Sequence, residues 1–140
     1  MITKRGPRVK SYEKTTVGGI TFHSKKEARY YQELCLLKQA GTVKEIECQP
    51  VFVLQPAYRK CCGEVTTNPA TKGICPYCYK KMPVIRAITY SADFRVTFAD
   101  GHVEIIDVKG YETPEFKRTR KMFEYRYPAL TLKVVKGARR

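Results

Sequence analysis

Hydrophobic and polar residues alternate most regularly in the middle of the chain, over residues 84–98. In "VIRAITYSADFRVTF" an apolar side chain recurs at every second position, which is the period of a half-buried β-strand. A second apolar run, "HVEIIDVKG" at residues 102–110, follows after a short turn and predicts an antiparallel partner strand. The residues expected to face the core are Ile88, Tyr90, Ala92, Phe94, Val96 and Phe98.

Two segments carry the spacing of amphipathic helices, and both have signals for their first turn. In residues 23–41, Ser24 is placed as an N-cap with Glu27 three residues later. In residues 113–128, Thr113 is placed as a cap with Pro114 at the first helical position.

The remaining apolar segments predict strands. We expect a small hairpin in residues 15–22, an extended segment in residues 43–55 that is interrupted at Pro50, and a last strand in residues 129–136. The order helix, three strands, helix, strand predicts an α/β fold, αβββαβ, with a central mixed sheet flanked by helices.

Length and charge predict one basic domain over residues 1–140, with a loose arm at residues 1–11. Lys and Arg number 27 against 13 Asp and Glu, a net charge of +14. Such an excess attracts polyanions, so nucleic acid is the expected partner, with a merely solvated basic surface as the alternative. The start "MITKRGPRVK" lacks the apolar stretch of a signal peptide, so we expect a cytoplasmic protein with no membrane partner.

Four of the six cysteines fall in one insertion, residues 58–82. Disulfides are rare in a reducing compartment, so metal binding is the better interpretation. The spacing in "CPYC" lets two thiolates meet one tetrahedral zinc ion, whereas the adjacent pair "CC" departs from that spacing and leaves open whether both bind. Free thiols are the alternative to a structural zinc site. The cysteines are Cys61, Cys62, Cys75 and Cys78.

The turn between the two central strands decides whether Asp93 and Asp107 meet. A two-residue turn would place the acids on opposite faces of the sheet. A three-residue loop at residues 99–101, with Gly101 in the left-handed region, sets the acids directly opposite each other with Cβ atoms about 5 Å apart. Lys109 then shares their face. Two such carboxylates repel unless a proton or a cation lies between them, and Mg²⁺ suits oxygen ligands.

The stretch "YSADF", followed by "IIDVKG", resembles the acid, then acid-x-Lys signature of the PD-(D/E)xK nuclease superfamily. The segments "SKKEARYYQEL" and "TPEFKRTRKMFEYRYP" and the cysteine insertion are also similar to a family of small phage proteins within that superfamily. Archaeal Holliday junction resolvases are a more distant likeness. Two departures are that no proline precedes Asp93 and that the second acid is Asp rather than Glu.

The resemblance implies a restriction-endonuclease-like core and an enzyme, a divalent-metal-dependent endonuclease that hydrolyses DNA phosphodiesters. Asp93, Asp107 and the Val108 carbonyl would hold Mg²⁺ or Mn²⁺, and Lys109 would act on the attacking water or on the phosphoryl oxygens. Glu27 would contribute from the first helix, although its capping box needs no catalysis. The family analogy adds branched or structured phage DNA as substrate, a homodimer, and the host cytoplasm.

Basic residues crowd the second predicted helix beside this site. They fit a track for the DNA backbone, with a solvated helix face as the alternative. They are Lys117, Arg118, Arg120 and Lys121. The alternative function for the whole chain is a non-catalytic zinc-containing protein that binds nucleic acid or regulates, and metal-dependent cutting of DNA separates the two.

Overall fold

The structure is a computed structural model that describes residues 14–67 and 72–136. The predicted basic arm lies outside the described residues, as do residues 68–71 of the insertion. The helices are α1 (Lys25–Gln39) and α2 (Pro114–Arg126). The strands are β1 (Thr15–Val17), β2 (Ile20–Phe22), β3 (Val43–Cys48), β4 (Val51–Gln55), β5 (Arg59–Cys61), β6 (Glu64–Thr66), β7 (Ile88–Ser91), β8 (Phe94–Phe98), β9 (Val103–Val108) and β10 (Thr131–Val135).

A four-stranded mixed sheet in the order β10-β9-β8-β3 forms the centre of the fold. Strand β8 runs antiparallel to both β3 and β9, whereas β10 pairs with β9 in parallel. Along the chain, α1 precedes β3, β8 and β9, and α2 leads into β10. The predicted mixed α/β order is therefore confirmed. Three two-stranded ribbons, β1–β2, β4–β7 and β5–β6, accompany the sheet.

Apolar side chains cover both faces of the sheet, so its central strands are buried on two sides. One cluster, on the side of α1, includes Phe22, Leu34, Phe94, Val96, Ile106 and Val108. The other, on the side of α2, includes Phe52, Tyr90, Ala92, Ile105, Phe116, Phe123 and Leu132.

Both helices begin where their caps predict. The Ser24 side chain accepts a hydrogen bond from the backbone N–H of Glu27 at 3.2 Å, and the Thr113 side chain accepts one from Phe116 at 3.1 Å. Pro114 occupies the first turn of α2 as expected. Within the part of the chain that the structure describes, neither helix is both long and apolar enough to cross a membrane.

The prediction of one regular strand through residues 84–98 is wrong. The chain bends at Asp93, and β7 leaves the central sheet to pair with β4. Tyr90 and Ala92 consequently pack on the α2 side, whereas Phe94 packs on the α1 side and Ile88 is exposed. Long-range pairing with β4 overrides the local alternation at this point.

A second bend faces the first and has the predicted position near Pro50. The backbone N–H of Gln49, a residue with φ of +54°, donates to the Asp93 carbonyl at 2.8 Å. The backbone N–H of Ala92 donates to the Pro50 carbonyl at 3.1 Å. These two hydrogen bonds tie the bends together, so the chain departs from the central sheet at the same place after β3 and before β8.

Candidate functional site

The turn between β8 and β9 has the three-residue form that brings the acids together. Gly101 adopts a φ of +93°, and the backbone N–H of Phe98 donates to the His102 carbonyl at 2.9 Å. The observed register pairs Phe94 with Ile106 and continues in step along both strands. Asp93 lies one position before the paired residues, and its backbone N–H donates to the Ile106 carbonyl at 3.1 Å, so the acid is close to Asp107 at the end of the pairing.

Asp107 is buried, with 3% of its surface exposed, and both of its carboxylate oxygens have a partner. Lys109 Nζ lies 3.2 Å from Oδ1. The Tyr90 hydroxyl donates to Oδ2. Burial raises the pKa of Tyr90, so this hydroxyl keeps the proton that it donates. The Asp107 carboxylate is thus held between a cation and a phenol.

Asp93 accepts a hydrogen bond at Oδ2 from the backbone N–H of Val108, at 2.7 Å. Burial raises the pKa of Asp93 to about 7, and the neighbouring carboxylates of Asp107 and Glu27 add to the rise. The Val108 N–H and the Lys109 ammonium oppose it. A carboxyl group with this pKa exchanges its proton readily near neutral pH, and an incoming cation would favour the ionised form.

Glu27 lies in the first turn of α1 and is buried. Its backbone and carboxylate both take part in the cap with Ser24, so the structural interpretation is confirmed. Burial raises the pKa of Glu27, and Asp107 contributes to the same rise. The residue is therefore also electrostatically connected to the acids at the strand bend, which leaves its catalytic role as a prediction.

Three further residues border the acids and were not among the predicted site residues. Tyr90 was assigned to the core by its place in the alternation, although a buried tyrosine hydroxyl generally has a polar partner. The Phe116 ring centroid lies 4.6 Å from Lys109 Nζ. Lys26 Nζ lies 3.0 Å from the point that a Cβ on Gly110 would occupy, which places a second ammonium group beside the site. Nothing in the local sequence pattern indicates these last two contacts.

The basic residues of α2 divide into two groups. Arg120 contacts Glu124 at 3.1 Å, Glu112 at 3.5 Å and the Leu132 carbonyl at 3.5 Å, so its guanidinium connects α2 to β10. These contacts give Arg120 a structural role, and its DNA contact stays a prediction. The exposed members, for which a DNA contact stays a prediction, are Lys117, Arg118 and Lys121.

The second candidate site is the cysteine knuckle, residues 58–82, of which 58–67 and 72–82 are described. The sulfur atoms of its four cysteines all lie within 4.8 Å of one another. Cys61 Sγ is 3.4 Å from Cys78 Sγ and 3.9 Å from Cys62 Sγ. Sulfurs around a tetrahedral zinc ion, at Zn–S distances of about 2.3 Å, are about 3.8 Å apart. The cluster could therefore hold a metal ion such as zinc.

Local backbone geometry explains how two adjacent cysteines reach one point. Cys62 has a φ of +52°, which turns the backbone at the end of β5. Both vicinal cysteines belong to the cluster, so both could contribute a sulfur to a metal site. The backbone N–H of Cys78 lowers the pKa of Cys75 to about 7, with a smaller contribution from the N–H of Tyr77. Both N–H groups therefore favour the thiolate form that binds metal.

The Arg59 side chain lies within the knuckle and contacts its second half at Met82 and Gly73. Its guanidinium donates to the Met82 carbonyl, and it leaves no room at Gly73, where a Cβ would lie 2.9 Å from Nη1. The carboxylates of Glu27, Asp93 and Asp107, in contrast, do not form a set as compact as the cysteines among the described residues.

Comparisons with known proteins identify a family and no activity. A protein-family model described as "Protein of unknown function (DUF1064)" matches residues 9–140. No curated protein and no solved structure matches the chain. The function must therefore be argued from the geometry and chemistry of the site.

Proposed function

Because the chain belongs to the DUF1064 family, whose description assigns no activity, we propose a function from the chemistry of its own carboxylate site. The protein is a divalent-metal-dependent endonuclease that hydrolyses DNA phosphodiesters, with a restriction-endonuclease-like core. The observation that carries the proposal is the proximity of Asp93 to Asp107 at a strand bend, with the Lys109 ammonium 3.2 Å from the Asp107 carboxylate.

The donor set fits a hard cation. Asp93 and Asp107 supply carboxylate oxygens, and the Val108 carbonyl is a third candidate oxygen for Mg²⁺ or Mn²⁺. Such an ion, when bound, polarises a phosphoryl group and lowers the pKa of a coordinated water molecule. Asp93 supports this assignment, because burial and then the neighbouring Asp107 carboxylate raise its pKa, and a bound cation would offset both effects.

Lys109 is the residue best placed to act on the substrate. Its side chain is 31% exposed, and its ammonium lies between the Asp107 carboxylate and the face of Phe116. An ammonium held in this way can orient an attacking water molecule or neutralise charge on a phosphoryl oxygen. Lys26, next to Gly110, adds a second cation that a phosphate could contact.

The choice of DNA rests on charge and on resemblance. A net charge of +14, with exposed basic residues on α2, fits a polyanion whose backbone runs past the acids. The resemblance alone supports three further parts of the proposal. These are a preference for branched or structured phage DNA, a homodimer that cuts two strands together, and a cytoplasmic location. We assign zinc to the four cysteines, in a structural role, because four thiolates favour this ion.

The proposal is tested by incubating the protein with junction, flap, single-stranded and duplex DNA, in the presence of Mg²⁺ or Mn²⁺. We expect cutting of at least one substrate, and a loss of about 100-fold or more in Asp107→Asn, because bound metal supplies several kcal/mol of transition-state stabilisation. Asp100→Asn is the matched control, since Asp100 lies in the turn of the same hairpin and is exposed. A wild-type protein that binds these substrates and cuts none with either ion contradicts the proposal.

One observation favours a second function, that of a non-catalytic zinc-containing protein that binds nucleic acid or regulates. Both oxygens of Asp107 already have protein partners, Tyr90 and Lys109. A carboxylate whose two oxygens both have protein partners can have a purely structural role, which is to hold β7 against β9. In that case Asp107→Asn lowers the stability of the fold and leaves nucleic-acid binding unchanged, with no cutting by either protein.

A further inference from the structure

We propose that the cysteine knuckle is a binding platform for single-stranded nucleic acid, in which Tyr77 and Tyr79 stack on unpaired bases and exposed lysines contact the phosphates. This inference rests on the proposed function for its nucleic-acid partner, but it requires no cleavage. It assigns the knuckle a role in substrate choice, separate from the carboxylate site at the strand bend.

The first observation is the exposure of two aromatic rings at the metal-binding turn. Tyr77 lies between Cys75 and Cys78 and is 62% exposed, and Tyr79 follows Cys78 directly and is 80% exposed. Large aromatic side chains contribute most when they are covered, so two exposed rings on one short turn suit a partner with flat apolar faces. The bases of a nucleic acid are such faces.

The two rings are also held in place without being covered. The Tyr77 hydroxyl donates to Glu64 Oε2 at 3.0 Å, which fixes the ring from strand β6 while its faces stay accessible. Tyr79 adopts a φ of +58°, a left-handed conformation that a bulky residue rarely takes. Backbone strain of this kind persists only where the surrounding structure imposes it. Positioned rings lose little conformational entropy when a ligand binds.

Charge complementarity identifies the partner as a polyanion. Residues 58–82 contain five Lys or Arg and one acid, Glu64, whose carboxylate already accepts from Tyr77. Arg59 is turned inward, whereas the four lysines are exposed. The net charge of the knuckle stays positive even when the net negative charge of four thiolates around a Zn²⁺ ion is included. The lysines are Lys60, Lys72, Lys80 and Lys81.

Exposed rings distinguish a single strand from a duplex. In a duplex the bases stack on each other and present only their edges, so Tyr77 and Tyr79 would have no base face to contact. In a single strand each unpaired base offers its face, and stacking on an aromatic side chain is worth ~1–3 kcal/mol per base. Lysines alone would bind both forms through their phosphates.

The test uses the full-length, zinc-loaded chain and fluorescence anisotropy with a labelled oligothymidine, in buffer without Mg²⁺ or Mn²⁺. The double variant Tyr77→Leu with Tyr79→Leu keeps apolar bulk and removes both rings, and we expect its affinity to fall about tenfold or more. The double variant Tyr77→Phe with Tyr79→Phe keeps the rings, and we expect affinity within about threefold of wild type, because the stacking faces remain. Val65→Ala is the matched control, since Val65 is an exposed knuckle residue without a ring.

Zinc content is measured for each variant, so that a collapsed knuckle is not mistaken for a lost ring. A labelled duplex of the same length provides the second comparison, and its affinity should be equal in wild type and the double Leu variant. Three results would overturn the inference. The double Leu variant could bind the single strand like wild type, or it could lose affinity for the single strand and the duplex equally. The third is a wild type that does not bind the oligothymidine, which would point to a protein as the partner of the two rings.

The outcome is separable from that of the proposed function. Selective loss of single-strand binding in the double Leu variant, with no cutting of any substrate by wild type, supports the platform and rejects the nuclease. Cutting that depends on Asp107, with unchanged single-strand binding in the double Leu variant, supports the nuclease and rejects the platform.

Discussion

The strand bend and the cysteine knuckle both gather anionic side chains, but they do so by different physical means. At the bend, Asp93 and Asp107 come from one hairpin, and Glu27 comes from the distant helix α1 to lie near them against the core. In the knuckle, four thiols come from one insertion whose surface is largely exposed. The bend therefore depends on the sheet for its geometry, whereas the knuckle would depend on the metal ion that its four cysteines could hold.

The two regions also differ in how their surroundings change the pKa of an acidic side chain. Burial and neighbouring acids raise the pKa of Asp93, so the fold opposes negative charge at the bend. In the knuckle, backbone N–H groups lower the pKa of Cys75, whereas hydrogen bonds with neighbouring thiols raise the pKa of Cys61 and Cys62, so negative charge is favoured at Cys75. Oxygen donors suit a hard ion that leaves positions open for substrate, whereas four thiolates suit a closed structural site. Under the proposed function, the bend would carry the reaction and the knuckle would hold a structural ion.

The largest expected effect separates the two regions through the cysteines. In Cys75→Ser, or after treatment with a strong zinc chelator, we expect loss of bound zinc and of amide-exchange protection within the knuckle, while the central sheet keeps its protection. Structural zinc supplies about 10–16 kcal/mol of apparent binding free energy in zinc-finger peptides, which a small exposed module cannot replace. Elemental analysis and hydrogen exchange measure both outcomes.

Cys35→Ser is the control for this prediction, because Cys35 lies in α1 and outside the sulfur cluster. We expect it to keep its zinc and its knuckle protection. Loss of protection in β8 and β9 after zinc removal would show that the bend also depends on the ion, and the contrast between the regions would fail.

The next effect concerns pH and the bend alone. The pKa of Asp93 is raised from 3.8 to about 7 by folding, so the folded chain binds this proton more tightly than the unfolded chain. The associated stability is fully present below about pH 4 and is lost as the pH rises through about 7. In Asp93→Asn, which can still accept from Val108, we expect the free energy of unfolding at pH 8 to rise by about 2–4 kcal/mol relative to wild type.

Denaturant unfolding of wild type and variant between pH 4 and pH 8 measures this difference. Asp100 is a control for the direction of the pH effect. Hydrogen bonds from His102 lower the pKa of Asp100, so the stability that its carboxylate contributes is lost as the pH falls. Added Mg²⁺ sharpens the test: it should raise the stability of wild type at pH 8 more than that of Asp93→Asn. Equal stability of wild type and Asp93→Asn at every pH would show that the bend does not resist charge.

The smallest effect concerns the hydrogen bond from Tyr90 to Asp107. Tyr90→Phe should lower the free energy of unfolding by about 1.5–3 kcal/mol, because a buried bond to a charged acceptor is lost. Tyr127→Phe is the matched control, since its hydroxyl donates to the neutral Val53 carbonyl at 2.8 Å in an exposed position, and it should cost about 1 kcal/mol or less. Similar losses in the two variants would show that Asp107 does not depend on Tyr90.

Some of this architecture is determined by the sequence over a few neighbouring residues. Ser24 and Thr113 set the starts of the helices because a cap needs only the next three backbone N–H groups. Gly101 sets the register of the central hairpin because a left-handed residue in a three-residue loop favours one pairing, and that pairing brings Asp93 close to Asp107. The cysteine spacing indicated a metal cluster for the same local reason.

Only the tertiary structure decided the remaining features, because they depend on partners distant in the chain. The alternation around Asp93 predicts an unbroken strand, and pairing of β7 with β4 bends it there instead. Tyr90 becomes a partner of Asp107 through that bend, and Arg120 contacts Glu112 and Glu124. Cap and turn signals act within a few residues, whereas strand pairing and ion pairing are settled by the folding of the whole domain.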